Sequence, residues 1–153
     1  MKITDYLTPE LVVAELAEVG KEETLRCLAA RVAGVFPEIS EAKIITVLGD
    51  REALGSTGIG GGIAIPHGKM VELEKIIVLF ARSRKGVEFA AVDGQPVHLL
   101  FLLLAPENSA GIHLKTLAQI SRMLKNRDFC DQLLEASDGS SLFAMIKQED
   151  ERS

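Results

Sequence analysis

The chain has 153 residues, which suits one domain with one hydrophobic core. Lys plus Arg total 17 and Asp plus Glu total 22, so the formal net charge is −5, which excludes a protein built around a basic grip on phosphate backbones. With no Trp, one Tyr and six Phe, a stacking platform for single-stranded nucleic acid is excluded too, and 47% hydrophobic residues exclude a disordered chain.

The opening residues MKITDYLTPE contain no apolar core of a signal peptide. The longest wholly apolar run, Leu99 to Ala105, is far short of the roughly 20 residues that span a bilayer. No membrane insertion is expected. Cys27 and Cys130 lie in helix-like stretches, far apart and outside any C-x-x-C pair, and read as small hydrophobes of a reducing cytoplasm. Residues 11–17 predict a strand. Leu25, Leu28, Ala29 and Val32 recur at helical spacing and predict a helix from Lys21, closed by Gly34 and Pro37. Ser40 is a good N-cap for a second helix that ends near Leu54 and Gly55. Residues 63–65 predict a short strand stopped by Pro66. Residues 76–82 and 97–104 are apolar without alternation, as in strands covered on both faces. A turn is predicted at Asp93 to Pro96. Helices follow over Ser109 to Lys125, Asp128 to Ala136 and Leu142 to Lys147, and residues 148–153 read as a frayed polar tail. The expectation is one domain over 1–147, an α/β/α sandwich of three layers.

The segment Arg51 to Lys69, REALGSTGIGGGIAIPHGK, carries the chemistry. Five of the thirteen glycines (Gly55, Gly58, Gly60, Gly61, Gly62) fall within eight residues. A plain turn needs one or two. The cluster calls for a further reason, and close backbone approach to a ligand or partner is the usual one. Nucleotide motifs fail on inspection. A phosphate loop starting at Gly55 needs Lys at 61 and meets Gly61. A dinucleotide fingerprint starting at Gly58 or Gly60 needs a third glycine where Ile63 or Ile65 stands. His67 follows the short strand, between Pro66 and Gly68. Imidazole, whose ordinary pKa is about 6.5, is nucleophilic near neutral pH and can accept and pass on a phosphoryl group. The competing reading is a hydrogen-bonded structural histidine.

The string GSTGIGGGIAIPHGK resembles the active-site signature of the fructose/mannitol class of IIA components (type-2 EIIA) of the bacterial phosphoenolpyruvate-dependent phosphotransferase system. The resemblance extends to ITDYLTPE, REALGSTGIG and IHLKTLAQISRML, and so over most of the chain. It implies an α/β sandwich with a mixed sheet. It implies that His67 is the phosphorylated residue, with Arg51 and His113 as its companions. It implies a phospho-HPr or NPr-type donor, and a IIB component or a regulated target as recipient. The opening residues and the STGIG…IAIPHGK string are most similar to the nitrogen-related branch, whose members stand alone as regulators. That branch often carries a polar residue where this chain has Gly61.

With this resemblance, Arg51 is expected to hydrogen-bond a phosphoryl oxygen, and His113, near a helix start, to orient the group. The amides of Gly58, Gly60, Gly61 and Gly62 are expected to shape the site. Ser56 and Thr57 either donate to phosphate or cap the loop. His98 reads as a structural histidine. Asp50, Glu52 and the acidic tail read as solvated charge. Three histidines spaced 31 and 15 residues apart form no zinc pattern, so neither metal nor cofactor is expected. The leading expectation is a cytoplasmic phosphohistidine carrier acting as a nitrogen-related regulator. The alternatives are a sugar-specific IIA subunit and a non-catalytic protein-binding module.

Overall fold

The computed structural model describes residues 2–152. Two short 3₁₀ turns, Ile3–Asp5 and Pro9–Leu11, lead into strand β1 (Val12–Val13). Helix α1 (Lys21–Val35) buries Leu25, Leu28, Ala29 and Val32, the residues that share one face at helical spacing. Helix α2 (Glu41–Ala53) starts where the Ser40 hydroxyl accepts the Lys43 amide at 3.3 Å. Strands β2 (Gly58–Gly60), β3 (Ile63–Ala64), β4 (His67–Met70), β5 (Ile77–Val87) and β6 (Val97–Pro106) follow, then helices α3 (Ala110–Leu124), α4 (Arg127–Glu135) and α5 (Gly139–Arg152).

The sheet is mixed and its main order is β1-β5-β6-β3-β2, with β4 also paired to β6. β5 and β6 run antiparallel at its centre, and Phe80 stacks on Phe101 across them with centroids 4.9 Å apart. β3 and β4 lie parallel to β6, one after the other along it. Both central strands are almost wholly buried, as unalternating apolar runs require. α1 and α2 pack on each other and on β5 and β4, while α3, α4 and α5 pack together against β6, β5 and β1. No helix among the described residues is long and apolar enough to cross a membrane.

Several expectations change. The strand expected over 11–17 is regular only at Val12–Val13. The helix α1 runs through Gly34 to Val35 before it closes. The short strand does end ahead of Pro66, at Ala64, but the Pro66 carbonyl accepts the Leu103 amide at 2.9 Å and pairing with β6 resumes as β4. β5 continues past Arg82 through a polar irregular stretch to Val87. The expected tail is helical through Arg152, with Asp150 fully buried; Ser153 lies outside the described residues. Arg82, 1% exposed, projects from β5 and donates to Leu133 O at 2.9 Å and to Ala14 O at 3.0 Å. It thereby caps the open carbonyl end of α4, where a cation is favoured. Cys27 is half-buried and Cys130 buried, and burial raises both thiol pKa values.

Candidate active site

β4 opens with His67, opposite Leu103 of β6. Strand alternation turns His67 and Gly68 to opposite faces. Gly68 meets α2: a Cβ there would stand 2.3 Å from Val47 Cγ1. The glycine thus lets α2 lie close on β4. On the other face His67 meets His113 from the first turn of α3, with ring centroids 5.6 Å apart and planes at 69°.

Both ring nitrogens of His67 have partners. Nδ1 lies 2.8 Å from the Ile65 carbonyl. A carbonyl only accepts, so Nδ1 carries the proton and Nε2 presents its lone pair. Arg51, in the last turn of α2, donates from Nε to His67 Nε2 at 3.3 Å and from Nη1 to Gly55 O at 2.9 Å. His113 is 6% exposed and its Nδ1 is buried without a hydrogen-bond partner. Burial lowers its pKa, and the neighbouring His67 and Lys69 act in the same direction. The protonated form of His113 is therefore disfavoured. The arrangement is a half-buried imidazole with its Nε2 lone pair presented, flanked by one guanidinium and a second, buried imidazole.

Of the predicted residues, His67, Arg51 and His113 come together, although 16 and 46 residues of sequence separate the other two from His67. The glycine loop does not join them. β2 and β3 form an antiparallel hairpin, and Gly61 (φ +66°) and Gly62 (φ +81°) are its two connecting residues. Left-handed φ at both positions is what a type I′ turn requires. Gly60 also has positive φ, at +96°. Ile63 faces Leu99 and His67 faces Leu103, so the turn lies at least four residues along β6 from His67, about 13 Å. There the Gly61 amide donates to Asp93 and the Gly62 carbonyl accepts from His98 and Leu99. Close approach does operate at Gly58, where a Cβ would stand 2.9 Å from Ala91 Cα.

The Ser56 hydroxyl donates to Phe89 O at 3.0 Å and accepts the Gly58 amide, so it shapes the loop. Thr57 is 3% exposed and its hydroxyl is bonded to Glu52. Glu52, expected as a solvated charge, has a side chain 7% exposed and pairs with Lys21 Nζ at 2.7 Å. No periodicity or motif marks that pair. His98 Nδ1 sits 2.8 Å from the Ser83 carbonyl, well away from His67 along β6.

Comparison with known proteins places this geometry. Residues 5–149 match the model of the family described as "Phosphoenolpyruvate-dependent sugar phosphotransferase system, EIIA 2". A nitrogen regulatory protein of Bradyrhizobium diazoefficiens is 42% identical over 146 residues, covering 95% of each chain. The fructose-specific EIIABC component of the Bacillus subtilis phosphotransferase system is 34% identical over 152 residues, which is 98% of this chain and 24% of that one. The crystal structure of the nitrogen regulatory protein IIA-Ntr from Neisseria meningitidis superposes with a TM-score of 0.87 at 31% identity, covering 94% of this chain and 98% of that one. The chain belongs to the type-2 EIIA family of the phosphoenolpyruvate-dependent phosphotransferase system, and its relatives include nitrogen regulatory proteins as well as sugar-specific components.

Proposed function

We propose that the protein is a phosphohistidine carrier that accepts a phosphoryl group on His67 Nε2 from a phospho-HPr or NPr-type protein and acts in nitrogen-related regulation. The observation that carries this reading is the pairing of His67 Nδ1 with Ile65 O, which leaves the Nε2 lone pair as the nucleophile beside Arg51. In the transfer, the Nε2 lone pair forms the new N–P bond. The electrons of the donor's N–P bond return to the donor imidazole. The proton stays on Nδ1, held by the Ile65 carbonyl, so no base is needed. Arg51 Nε–H, which now donates to Nε2, exchanges that acceptor for a phosphoryl oxygen as phosphorus arrives. The neutral His113 ring bounds the other side, and the unpaired amides of the first turn of α3 favour the anion.

Exposed apolar residues adjoin these groups in sequence: Leu54 three residues after Arg51, and Ile112 and Leu114 next to His113. Exposed apolar side chains on the elements that carry the site suit a protein donor. A net charge of −5 suits a basic donor. The nitrogen-related role rests on the nitrogen regulatory relatives. A sugar-specific role is the second reading, favoured by the similarity to the fructose-specific component. An Escherichia coli mannitol IIA protein, similar in fold, is known in complex with its phosphorylated IIB partner.

The test is incubation with phosphoenolpyruvate, enzyme I and HPr, followed by intact-mass analysis. One acid-labile phosphate is expected, absent from His67→Ala. An acid-stable phosphate, or none, ends the carrier reading and leaves a non-catalytic binding module. Onward transfer to a fructose-type IIB protein would favour the sugar-specific role over the regulatory one.

A further inference from the structure

Glu52 follows Arg51 in the last turn of α2. Its carboxylate accepts the Thr57 amide at 3.0 Å, accepts the Thr57 hydroxyl, and pairs with Lys21 at the first position of α1. Lys21 Nζ is also held 4.8 Å over the Phe89 ring. Two paths lead from Glu52 to His67, one from its carboxylate and one from its backbone carbonyl. Along the first, the Thr57 carbonyl accepts the Ile65 amide at 3.0 Å, and the Ile65 carbonyl accepts His67 Nδ1 at 2.8 Å. Along the second, the Gly55 amide donates to the Glu52 carbonyl at 3.1 Å and closes the helix. That turn presents the Gly55 carbonyl to Arg51 Nη1, whose Nε reaches His67 Nε2. The two paths form a closed circuit through both nitrogens of the imidazole.

We propose that Glu52, braced by Lys21 and Thr57, is a positioning residue for the phosphoryl transfer. Its carboxylate fixes the tautomer of His67 through Thr57 and Ile65 without touching the phosphoryl group, while its backbone carbonyl closes the Gly55 turn that poses Arg51. The inference rests on the carrier reading above. Charge-assisted bonds in a water-poor site are short and stiff, which suits a group that must hold two others in register. A carboxylate that served only to close the turn would contribute to stability and leave the imidazole as it is.

The experiment compares wild type with Glu52→Gln, which keeps the shape and removes the charge. Two readouts are taken: steady-state transfer from phospho-HPr, and the His67 tautomer from long-range ¹H–¹⁵N NMR of the unphosphorylated protein. The expected result is a kcat lower by roughly 10- to 100-fold at unchanged KM for HPr, with the single Nδ1–H tautomer replaced by a mixture. Thr57→Val should act in the same direction, and Thr57→Ser, which keeps the hydroxyl, should recover most of the rate. A single Nδ1–H tautomer in Glu52→Gln, or a kcat at the wild-type level, overturns the proposal. The NMR arm needs no donor. If wild type takes no phosphate, the carrier reading falls, and the tautomer alone decides the role of Glu52. If Glu52→Gln does not fold, the Thr57 pair decides it by the same two readouts.

Discussion

At His67, one hydrogen bond leaves Nε2 as the nitrogen with the free lone pair, and under the proposed carrier role another is exchanged when a phosphoryl group arrives. The proposed carrier role assigns that exchange to Arg51, whose fork also holds Gly55 O. Loss of a hydrogen bond to a charged group costs about 1.5–3 kcal/mol, so Arg51→Ala should slow transfer roughly 10- to 100-fold. Arg51→Lys should recover little, because one ammonium cannot reach both acceptors as a planar fork does. Rapid-quench measurement of His67 labelling checks both, and wild-type rates in Arg51→Ala would remove the residue from the site. His113 contributes a pH dependence. Burial depresses its folded pKa below the unfolded value of about 6.5, so the unfolded chain binds the extra proton first. The stability tied to neutral His113 is present above that value and is lost as pH falls through the folded pKa. The melting temperature should therefore drop between pH 7.5 and pH 5.5, and less so in His113→Gln; identical drops in the two proteins would refute it. At this scale the sequence marks its rare residues well: three histidines sort into the pair at the site and His98 on the Ser83 carbonyl. It marks Glu52, Arg82 and Asp150 badly, because a charge carries no sign in the sequence that its partners lie inside the fold.

Among the elements, α2 and β4 build the site jointly: α2 carries Arg51, β4 carries His67, and Gly68 sets their separation. A methyl at Gly68 meets Val47 Cγ1, and a β-branched residue in a helix has one strongly preferred rotamer, so the helix must move instead. Gly68→Ala should cost about 1–3 kcal/mol, as overpacking does, and should slow transfer by displacing Arg51. Adding Val47→Ala makes room and should restore both, which denaturant titration and labelling rates of the double variant would show. Failure of the second substitution to rescue would mean that Gly68 serves another purpose. Helices α1, α2 and α3 are legible because their apolar residues repeat at helical spacing and Ser40 caps α2. β6 is legible as an apolar run. β2 and β4, GIG and HGKM, carry no strand pattern; their neighbours along β6 and β3 impose the extended form. The glycine cluster is legible as a device, but its φ values belong to a hairpin turn, which a sequence cannot distinguish from a phosphate cradle.

Across the molecule, the two ends of the chain are fastened beside the helix that carries His113. Asp150 near the end of α5 is fully buried; it accepts from the Thr4 amide at 3.0 Å, the Thr4 hydroxyl at 3.1 Å and Gln119 of α3 at 3.2 Å, while Lys2 reaches its carbonyl. One carboxylate thus joins the first 3₁₀ turn, α3 and α5. Removing it leaves a buried amide, a hydroxyl and a carboxamide with lost partners, each costing about 1–3 kcal/mol in a rigid site, and partial relaxation brings the sum to about 2–5 kcal/mol. For a domain of this size each kcal/mol moves the melting temperature by about 2–4 °C, so Asp150→Ala should melt roughly 5–15 °C lower. Truncation after Glu149 should do the same, since it removes the same carboxylate, although the segment reads as a frayed polar tail in the sequence. The bonded pairs around His67 lie on α2, β4 and the loop between them, none of which touches Asp150. Well below the melt, labelling of His67 in Asp150→Ala should therefore proceed within about threefold of the wild-type rate, as expected for sites that share no partner. A wild-type melting temperature would show that the buried carboxylate contributes nothing to stability. A normal melt with slowed transfer would show instead that the clasp acts through α3 on His113.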